Sequence, residues 1–238
     1  MYPVSSPSLP QAERQGTERR VVILADGDFP SHPLPLRLLA EAETLVCCDG
    51  AYQKAQRYAS THALTDDVYV IGDGDSLPSA VRQQLGNRFL HVADQVTNDL
   101  TKAVLHCAAQ GWTRVDVLGA TGLREDHTLG NISLLGEYLL NPTTQHMHLR
   151  LVSDFGTLRA FRGQASFDSF PRQQVSLFSL RPQCPLTSQG LEYPLDNFIL
   201  DNWWKGTLNA ALGQTFRVEG PDDALVVVFQ THEPKIAV

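Results

Sequence analysis

Short apolar runs that recur about every two dozen residues constrain the fold of this chain more than any other sequence feature. The runs are unbroken rather than alternating, which is typical of strands covered on both faces of a parallel sheet. Helix-like segments lie between several of them, so this part of the chain predicts an α/β fold with an open, mostly parallel sheet. The five runs are VVILAD, TLVCCD, VYVIGD, FLHVAD and VDVLGA, beginning at Val21, Thr44, Val68, Phe89 and Val115.

The pattern changes from about residue 155, where strand-like runs are separated by turn residues and few helical segments remain. These runs, TLRAF, QQVSLFSL, TFRVEG and ALVVVFQ, predict a small all-β sandwich domain that follows the α/β domain. The first residues are rich in Pro, Ser and charge and have no usable period. We therefore expect a flexible N-terminal tail at 1–20, an α/β domain at 21–154 and a β-sandwich domain at 155–238.

Composition excludes several classes of partner. The formal net charge is −7, the isoelectric point is near 5.5 and the chain has four lysines, so a nucleic-acid surface is not expected. No apolar stretch approaches the roughly 18 residues of a membrane span, so we expect no membrane partner. The four cysteines show no CxxC spacing, which indicates neither a disulfide framework nor a zinc site. We expect a cytoplasmic protein that binds small molecules.

Carboxylates follow the predicted strands. The ends of parallel strands meet at one edge of a sheet, which is where ligands bind in open α/β folds. One aspartate after a strand is often a helix cap, but in IGDGDS two of them, Asp73 and Asp75, are separated by one glycine and repel each other unless a cation compensates. Mg²⁺ is held by one or two carboxylates plus phosphate oxygens and water, so this pair predicts a magnesium site. The aspartates after the strands are Asp26, Asp28, Asp49, Asp73, Asp75 and Asp94.

A phosphate site is expected where the clearest helix begins, in DQVTNDLTKAV. Thr97 or Asn98 can cap this helix, whose free N–H groups and dipole favour an anion. Asp99 and Lys102 are three residues apart and share a face of the first turn. They place a carboxylate for metal beside an ammonium for phosphate; the alternative is an ordinary surface ion pair.

The stretch GATGLREDHTLGN, residues 119–131, supplies a second candidate phosphate loop. Its small residues allow backbone amides to approach a ligand closely. Arg124 offers a planar fork to phosphate, and Asp126 can hold that fork or a ribose hydroxyl. His127 is interpreted as a structural residue that caps or orients the loop.

Absent and incomplete motifs limit the chemistry. The chain has neither GxxxxGK[ST] nor a GxGxxG after a strand, which argues against a P-loop kinase and a dinucleotide site. The DxD pair is also compatible with a Mg²⁺-dependent phosphatase of the haloacid-dehalogenase type, although Leu77 stands where that motif has Thr or Val, and with the metal-binding DxD of some glycosyltransferases. Neither alternative explains TNDLTK or the GATG loop.

The ordered motifs CDGA, IGDGDS, DQVTNDLTKA and GATGLREDHTLGNI resemble the motif series of the thiamine pyrophosphokinase family. The resemblance is strong over about residues 21–135 and looser through QGLEYPL, GTLN and FRVEG. It implies an α/β catalytic domain that binds ATP and a β-sandwich domain for thiamine binding and dimerisation. It also implies a homodimer, with thiamine bound where subunits meet, and transfer of pyrophosphate from ATP to thiamine, giving thiamine diphosphate and AMP.

The same resemblance assigns the site residues, and either Asp49 or Asp73 is the hypothetical general base. A phosphatase, or a non-catalytic protein that binds nucleotide or thiamine, remains the alternative function. The implied Mg²⁺ ligands are Asp73, Asp75 and Asp99. The implied catalytic residues are Asp49, Asp73, Asp75, Asp99, Lys102, Arg124 and Asp126. The implied residues for ATP and thiamine are Gln95, Thr97, Lys102, Thr121, Arg124, Asp126, Thr207 and Asn209.

Two positions depart from the family pattern. Leu123 stands where the family usually has the second glycine before Arg, so we expect a branched side chain to restrict the phosphate loop. Leu208 replaces the serine of a Ser-Asn motif that helps to hold thiamine. Trp203 and Trp204 precede that motif; they are interpreted as core or interface residues, with stacking on thiamine as the alternative.

Overall fold

Strands and helices alternate through the first part of this computed structural model, which describes residues 19–75, 77–92 and 96–234. The helices are α1 (Pro33–Ala40), α2 (Ala51–Ala59), α3 (Ser79–Leu85), α4 (Asp99–Ala109) and α5 (Glu125–Leu140), with 3₁₀ turns at Gly86–Arg88 and Trp203–Gly206. The strands are β1 (Val21–Leu24), β2 (Thr44–Cys48), β3 (Val68–Gly72), β4 (Phe89–His91), β5 (Arg114–Leu118), β6 (His148–Val152), β7 (Gly156–Arg162), β8 (Gln164–Asp168), β9 (Gln173–Ser179), β10 (Pro185–Gln189), β11 (Phe198–Ile199), β12 (Asn209–Ala210), β13 (Thr215–Glu219) and β14 (Leu225–Pro234).

Six parallel strands form the α/β part of the large sheet, in the order β6-β5-β1-β2-β3-β4. Every residue of β1 and β2 is buried, because apolar clusters cover both faces of the sheet. The unbroken apolar runs of the sequence therefore correspond to strands covered on both sides, as predicted. The central position of β1 places the loop that follows it between the loops after β2 and β5.

The large sheet does not end with the α/β part. After β6 the chain turns, and β7 pairs antiparallel to it, followed by β14, β9 and β12, so that ten strands form one sheet. A second sheet, β11-β10-β13-β8, packs over this extension with an apolar cluster between them. The expected boundary between residues 154 and 155 falls between β6 and β7.

Two elements at the centre of the molecule differ from the sequence expectation. Strand β6 was not predicted, and the stretch at 119–131 was interpreted as a loop although α5 begins within it, at Glu125. Helix α5 carries glycines at 130 and 136, which weaken a helical pattern. Residues 1–18 of the predicted tail lie outside the described residues.

All four cysteines are free and buried, consistent with the absence of a disulfide framework in the sequence interpretation. Among the described residues no helix combines the length and the apolar character needed to cross a membrane.

Candidate active site

The loops after β1 and β5 are joined by backbone hydrogen bonds at the carboxyl edge of the sheet. Gly27 N donates to Gly119 O at 2.7 Å, and Asp28 N donates to Thr121 O at 3.0 Å. At Gly122, where φ is +80°, a Cβ atom would lie 2.1 Å from Asp28 Oδ2, so only glycine fits this approach. The GATG segment is therefore fixed against the β1 loop by its small residues.

These loops border a cavity of about 510 Å³ at the carboxyl ends of the strands. The starts of α4 and α5 both contribute to its lining, so two helix N-termini with their free N–H groups lie at one cavity. The sequence-predicted residues Asp99, Arg124 and Asp126 are thereby brought together. The lining includes Asp26, Cys48, Asp99, Gly122, Arg124 and Asp126.

Arg124 and Asp126 form a two-point ion pair at this cavity. Arg124 Nε donates to Asp126 Oδ1 at 3.0 Å, and Arg124 Nη2 donates to Asp126 Oδ2 at 2.5 Å. The hydrogen bonds raise the pKa of Arg124 and lower the pKa of Asp126, so both groups are charged at neutral pH. Both side chains are exposed, so the guanidinium remains accessible to an anion.

Helix α4 begins as the sequence predicted. Asn98 is its N-cap, with Oδ1 accepting from Thr101 N at 2.8 Å. Asp99 and Lys102 form the expected pair, since Lys102 Nζ donates to Asp99 Oδ1 at 3.0 Å. The Lys102 side chain is only 6% exposed, so this is not the ordinary surface ion pair that was the alternative interpretation.

Asp73 and Asp75 lie after β3 in a tight turn, with Asp75 N donating to Asp73 Oδ1 at 3.1 Å and Gly74 between them at φ +80°. Their carboxylate chemistry fits Mg²⁺, which needs only one or two protein carboxylates beside phosphate oxygens and water. Within residues 19–75, 77–92 and 96–234, however, no group of three or more His, Cys, Asp or Glu side chains is arranged to hold a metal. The structure thus does not gather Asp73, Asp75 and Asp99 into one three-carboxylate cluster.

Asp49 follows β2 in a buried position between strand ends. Its N–H donates to Ile71 O at 2.9 Å, and its Cβ lies 2.8 Å from the place that a Cβ of Gly72 would occupy. The φ angle of Asp49 is +31°, outside the common regions for a side chain of this type. Glycine at position 72 is what allows this close packing of the two strand ends.

The described residues that were expected to bind ATP and thiamine lie in two different parts of the molecule. Gln95 lies outside the described residues. Thr207 Oγ1 donates to Trp204 O at 2.7 Å. The buried Asn209 amide bonds to the backbone of Tyr193 in both directions, at 2.7 and 3.0 Å. Thr207 and Asn209 thus shape the loops of the β domain, while Thr97 and Thr121 lie beside the cavity-forming loops.

Two family models match the chain. The model described as "Thiamin pyrophosphokinase, catalytic domain" matches residues 36–151, and the model described as "Thiamin pyrophosphokinase, substrate-binding domain" matches residues 156–227. Together the matches span more than three quarters of the sequence. The chain belongs to the thiamin pyrophosphokinase family. No curated protein sequence matches it.

Solved structures of thiamin pyrophosphokinases have the same fold. The protein from Bacillus subtilis matches with a TM-score of 0.71 and 20% identity over 90% of this chain and 99% of that chain. The protein from Candida albicans matches with a TM-score of 0.70 and 19% identity, over 89% of this chain and 90% of that chain. The yeast protein has a TM-score of 0.70 and 17% identity, over 91% and 88%.

These matches confirm three predictions made from the sequence: the thiamin pyrophosphokinase family, the mixed α/β fold with a second antiparallel sheet, and the enzyme class, a thiamine diphosphokinase. The family membership also favours thiamine and ATP as the small-molecule partners. A phosphatase of the DxD type is correspondingly disfavoured.

Both positions that depart from the family pattern adopt left-handed backbone. Leu123 has φ +61° and Leu208 has φ +63°, and both side chains are largely exposed, at 68% and 70%. The loop after β5 therefore keeps a conformation that suits glycine although residue 123 is leucine, at a cost of about 1–2 kcal/mol. The expected restriction by Leu123 takes the form of local strain.

Two further polar residues near the cavity were not singled out in the sequence. Lys54, in the first turn of α2, forms a 2.7 Å ion pair with Asp26 and donates to the carbonyls of Asp26 and Gly27 at 2.9 and 2.8 Å. Asn131 Nδ2 donates to Ala120 O at 2.8 Å. Each holds a cavity loop in place. The sequence signal that could have drawn attention to Lys54 is that lysine is scarce in this chain.

Proposed function

We propose that the 510 Å³ cavity at the carboxyl edge is where this protein transfers pyrophosphate from ATP to the hydroxyl of thiamine. The observation that carries the proposal is that Asp99 and Arg124, from distant parts of the chain, line the same cavity. They stand at the N-termini of helices α4 and α5. A triphosphate needs cationic groups and backbone N–H donors together. The cavity offers both.

The reaction forms a bond between the thiamine oxygen and the β-phosphorus of ATP and breaks the bond between that phosphorus and the oxygen bridging to the α-phosphorus. AMP leaves with the electron pair, and the hydroxyl proton goes to a carboxylate. Arg124 and Lys102 would spread the negative charge on the transferred group. We assign the proton acceptor to Asp49, which packs against the end of β3 at Gly72, or to Asp73 of the predicted metal pair itself.

We assign Mg²⁺ to Asp73 and Asp75, with Asp99 as a third carboxylate at the same sheet edge. When bound, the ion would neutralise phosphate charge. The tight turn that holds Asp73 and Asp75 together supports this assignment, because it keeps two like charges adjacent. Asp99 instead neutralises Lys102 in the present arrangement.

We further propose the division into an ATP-binding catalytic domain at 21–154 and a thiamine-binding and dimerisation domain at 155–238, in a cytoplasmic homodimer. We assign Thr207 and Asn209 to the binding of thiamine, and Gln95, Thr97 and Thr121 to the binding of ATP. The exposed Trp204 and Leu208 of the β domain support an interface with a second subunit or with the acceptor.

Product analysis tests the proposal. The purified protein is incubated with ATP and Mg²⁺, with and without thiamine, and AMP, ADP, phosphate and thiamine diphosphate are separated. We expect AMP and thiamine diphosphate in equal amounts and only with thiamine. Asp99→Asn should reduce this turnover at least about 100-fold. Asp66→Asn, an exposed aspartate before β3 at the opposite edge, is the matched control and should change it little.

The outcomes separate the alternatives. Phosphate release that does not require thiamine would indicate the phosphatase. ATP-dependent thermal stabilisation without any product would indicate the non-catalytic binder.

A further inference from the structure

A second and larger cavity, of about 650 Å³, lies at the opposite edge of the sheet from the candidate active site. It surrounds the amino ends of the parallel strands β5 and β6, where Arg114 and His148 begin these strands. The antiparallel pairing of β6 with β7 covers only Leu151 with Leu158 and Val152 with Thr157. The cavity therefore opens where the α/β part and the β domain stop sharing hydrogen bonds.

Three arginines line this cavity, beside two histidines and neutral polar residues. Arg114, Arg150 and Arg159 all contribute to it. Arg150 is neutralised by Asp116 through a two-point pair, in which Arg150 Nη2 donates to Asp116 Oδ2 at 2.8 Å. Arg114 and Arg159 form no ion pair within the described part of the chain, so the cavity carries an excess of positive charge in a protein whose net charge is negative. Such an excess attracts an anion.

The surroundings of Arg159 bear most directly on what this cavity can bind. Its Nε is buried, and no described residue accepts a hydrogen bond from it. The guanidinium lies 5.7 Å from the centre of the Phe167 ring, which fixes the side chain but does not accept the N–H. Burial lowers the pKa of Arg159 and the charge of Arg150 lowers it further, while the charges of Asp168 and Asp116 offset part of this effect. The buried Nε is shielded from the cavity, so an anion there would contact the other nitrogens of this guanidinium, which has no carboxylate partner among the described residues.

The remainder of the lining is apolar. Leu135, Tyr138 and Leu139 of α5 and the buried Met147 border the same space. The volume lies in the usual range for sites that enclose an organic molecule and far exceeds that of a lone phosphate ion. The cavity wall thus has cationic side chains in one part and apolar surface in another, which matches a ligand with an anionic group and an apolar group.

We propose that this cavity binds a small phosphate monoester with an apolar or aromatic group. Arg159 and Arg114 would contact the phosphate, since guanidinium groups form paired hydrogen bonds with phosphate oxygens. The organic group would lie against Tyr138 and Leu139. This site is separate from the candidate active site and does not depend on the proposed function.

Calorimetric titration of the full chain with phenyl phosphate tests the site, with inorganic phosphate as the comparison. We expect saturable binding that is tighter for phenyl phosphate. Arg159→Met and Arg114→Met should each weaken it about tenfold or more, the usual effect of losing a charged hydrogen bond. Arg162→Met, an exposed arginine on the same strand and outside the cavity, is the matched control and should bind normally.

A fourth variant, Arg124→Gln, distinguishes this cavity from the candidate active site. Phenyl phosphate binding should persist in it. Binding that is lost in Arg124→Gln but unchanged in Arg114→Met would place the ligand in the active site and overturn the proposal, as would the absence of saturable binding. Because Arg114 is exposed, its variant is informative even if Arg159→Met does not fold.

Discussion

Lys102 donates a 3.0 Å hydrogen bond to Asp99 from a side chain that is almost completely buried. Asp99 is 38% exposed, so the pair joins a buried cation to a carboxylate in contact with solvent at the cavity. Burying an ammonium is costly, and because Asp99 stays in contact with solvent, removing Lys102 would leave no uncompensated buried charge. The pair is therefore more informative about function than about stability.

Lys102→Met should separate these two effects. We expect kcat/KM for pyrophosphate transfer to fall at least about 100-fold, because a cation near the transferred group is lost. The free energy of unfolding in urea should change by less than about 1 kcal/mol, because methionine fills the buried space and Asp99 remains hydrated. Arg181→Met, which opens the exposed Arg181–Asp223 pair, is the control for both measurements. A large loss of stability with normal activity in the folded fraction would show a purely structural role.

Leu123→Gly should relieve backbone strain in the phosphate loop. Leu123 has φ +61°, which glycine adopts readily. We expect the free energy of unfolding to rise by up to about 1 kcal/mol, because the greater freedom of glycine in the unfolded chain offsets part of the relieved strain. Leu129→Gly is the matched control, since Leu129 is also exposed but lies within α5, where glycine should cost about 1 kcal/mol. Equal destabilisation by the two substitutions would contradict a strained Leu123.

Stability should depend on pH through His106. Its Nε2 is buried without a hydrogen-bond partner in the described part of the chain, and burial lowers the pKa of His106 below its usual value near 6.5. The unfolded chain therefore takes up this proton at a higher pH than the folded chain. The resulting stability is present above about pH 6.5 and is lost as the pH falls through the folded pKa.

His106→Phe tests this dependence, because phenylalanine keeps the packing against Tyr69 and Trp112 but cannot take a proton. Urea unfolding between pH 7.5 and 5 should show a flatter loss of stability in His106→Phe than in the unmodified protein. His91→Phe, at an exposed histidine, should leave the slope unchanged. A slope that is identical in all three proteins is the contrary result.

Leu208→Ser tests the proposed binding of thiamine, which accepts the pyrophosphate group. Leu208 is exposed and occupies the position that carries serine in the family motif to which GTLN is similar. A hydroxyl there can form a hydrogen bond with thiamine, so KM for thiamine should fall several-fold while KM for ATP stays unchanged. Leu212→Ser, at another exposed leucine of the same domain, is the control. If KM for thiamine rises or KM for both substrates changes together, position 208 does not contact the acceptor.

Much of the site was accessible from local sequence. Unbroken apolar runs identified five of the six parallel strands, and the polar residues after them identified the carboxyl edge. Asn98, Asp99 and Lys102 were predicted correctly as the start of α4, because capping and i,i+3 spacing act within one turn. Local sequence did not reveal α5, whose glycines obscure its helical pattern, nor the loop-holding role of Lys54, which depends on a contact 27 residues away.

The sequence by itself determined the family, the α/β and β-rich halves and the set of charged residues at the strand ends, since these follow from short-range periodicity and from ordered motifs. Only the tertiary structure decided the central place of β1, the single ten-stranded sheet and the burial of Lys102. It alone placed Arg150 and Arg159, from opposite sides of the domain boundary, at one cavity. Strand order and cavities arise from packing between distant segments, which no local pattern encodes.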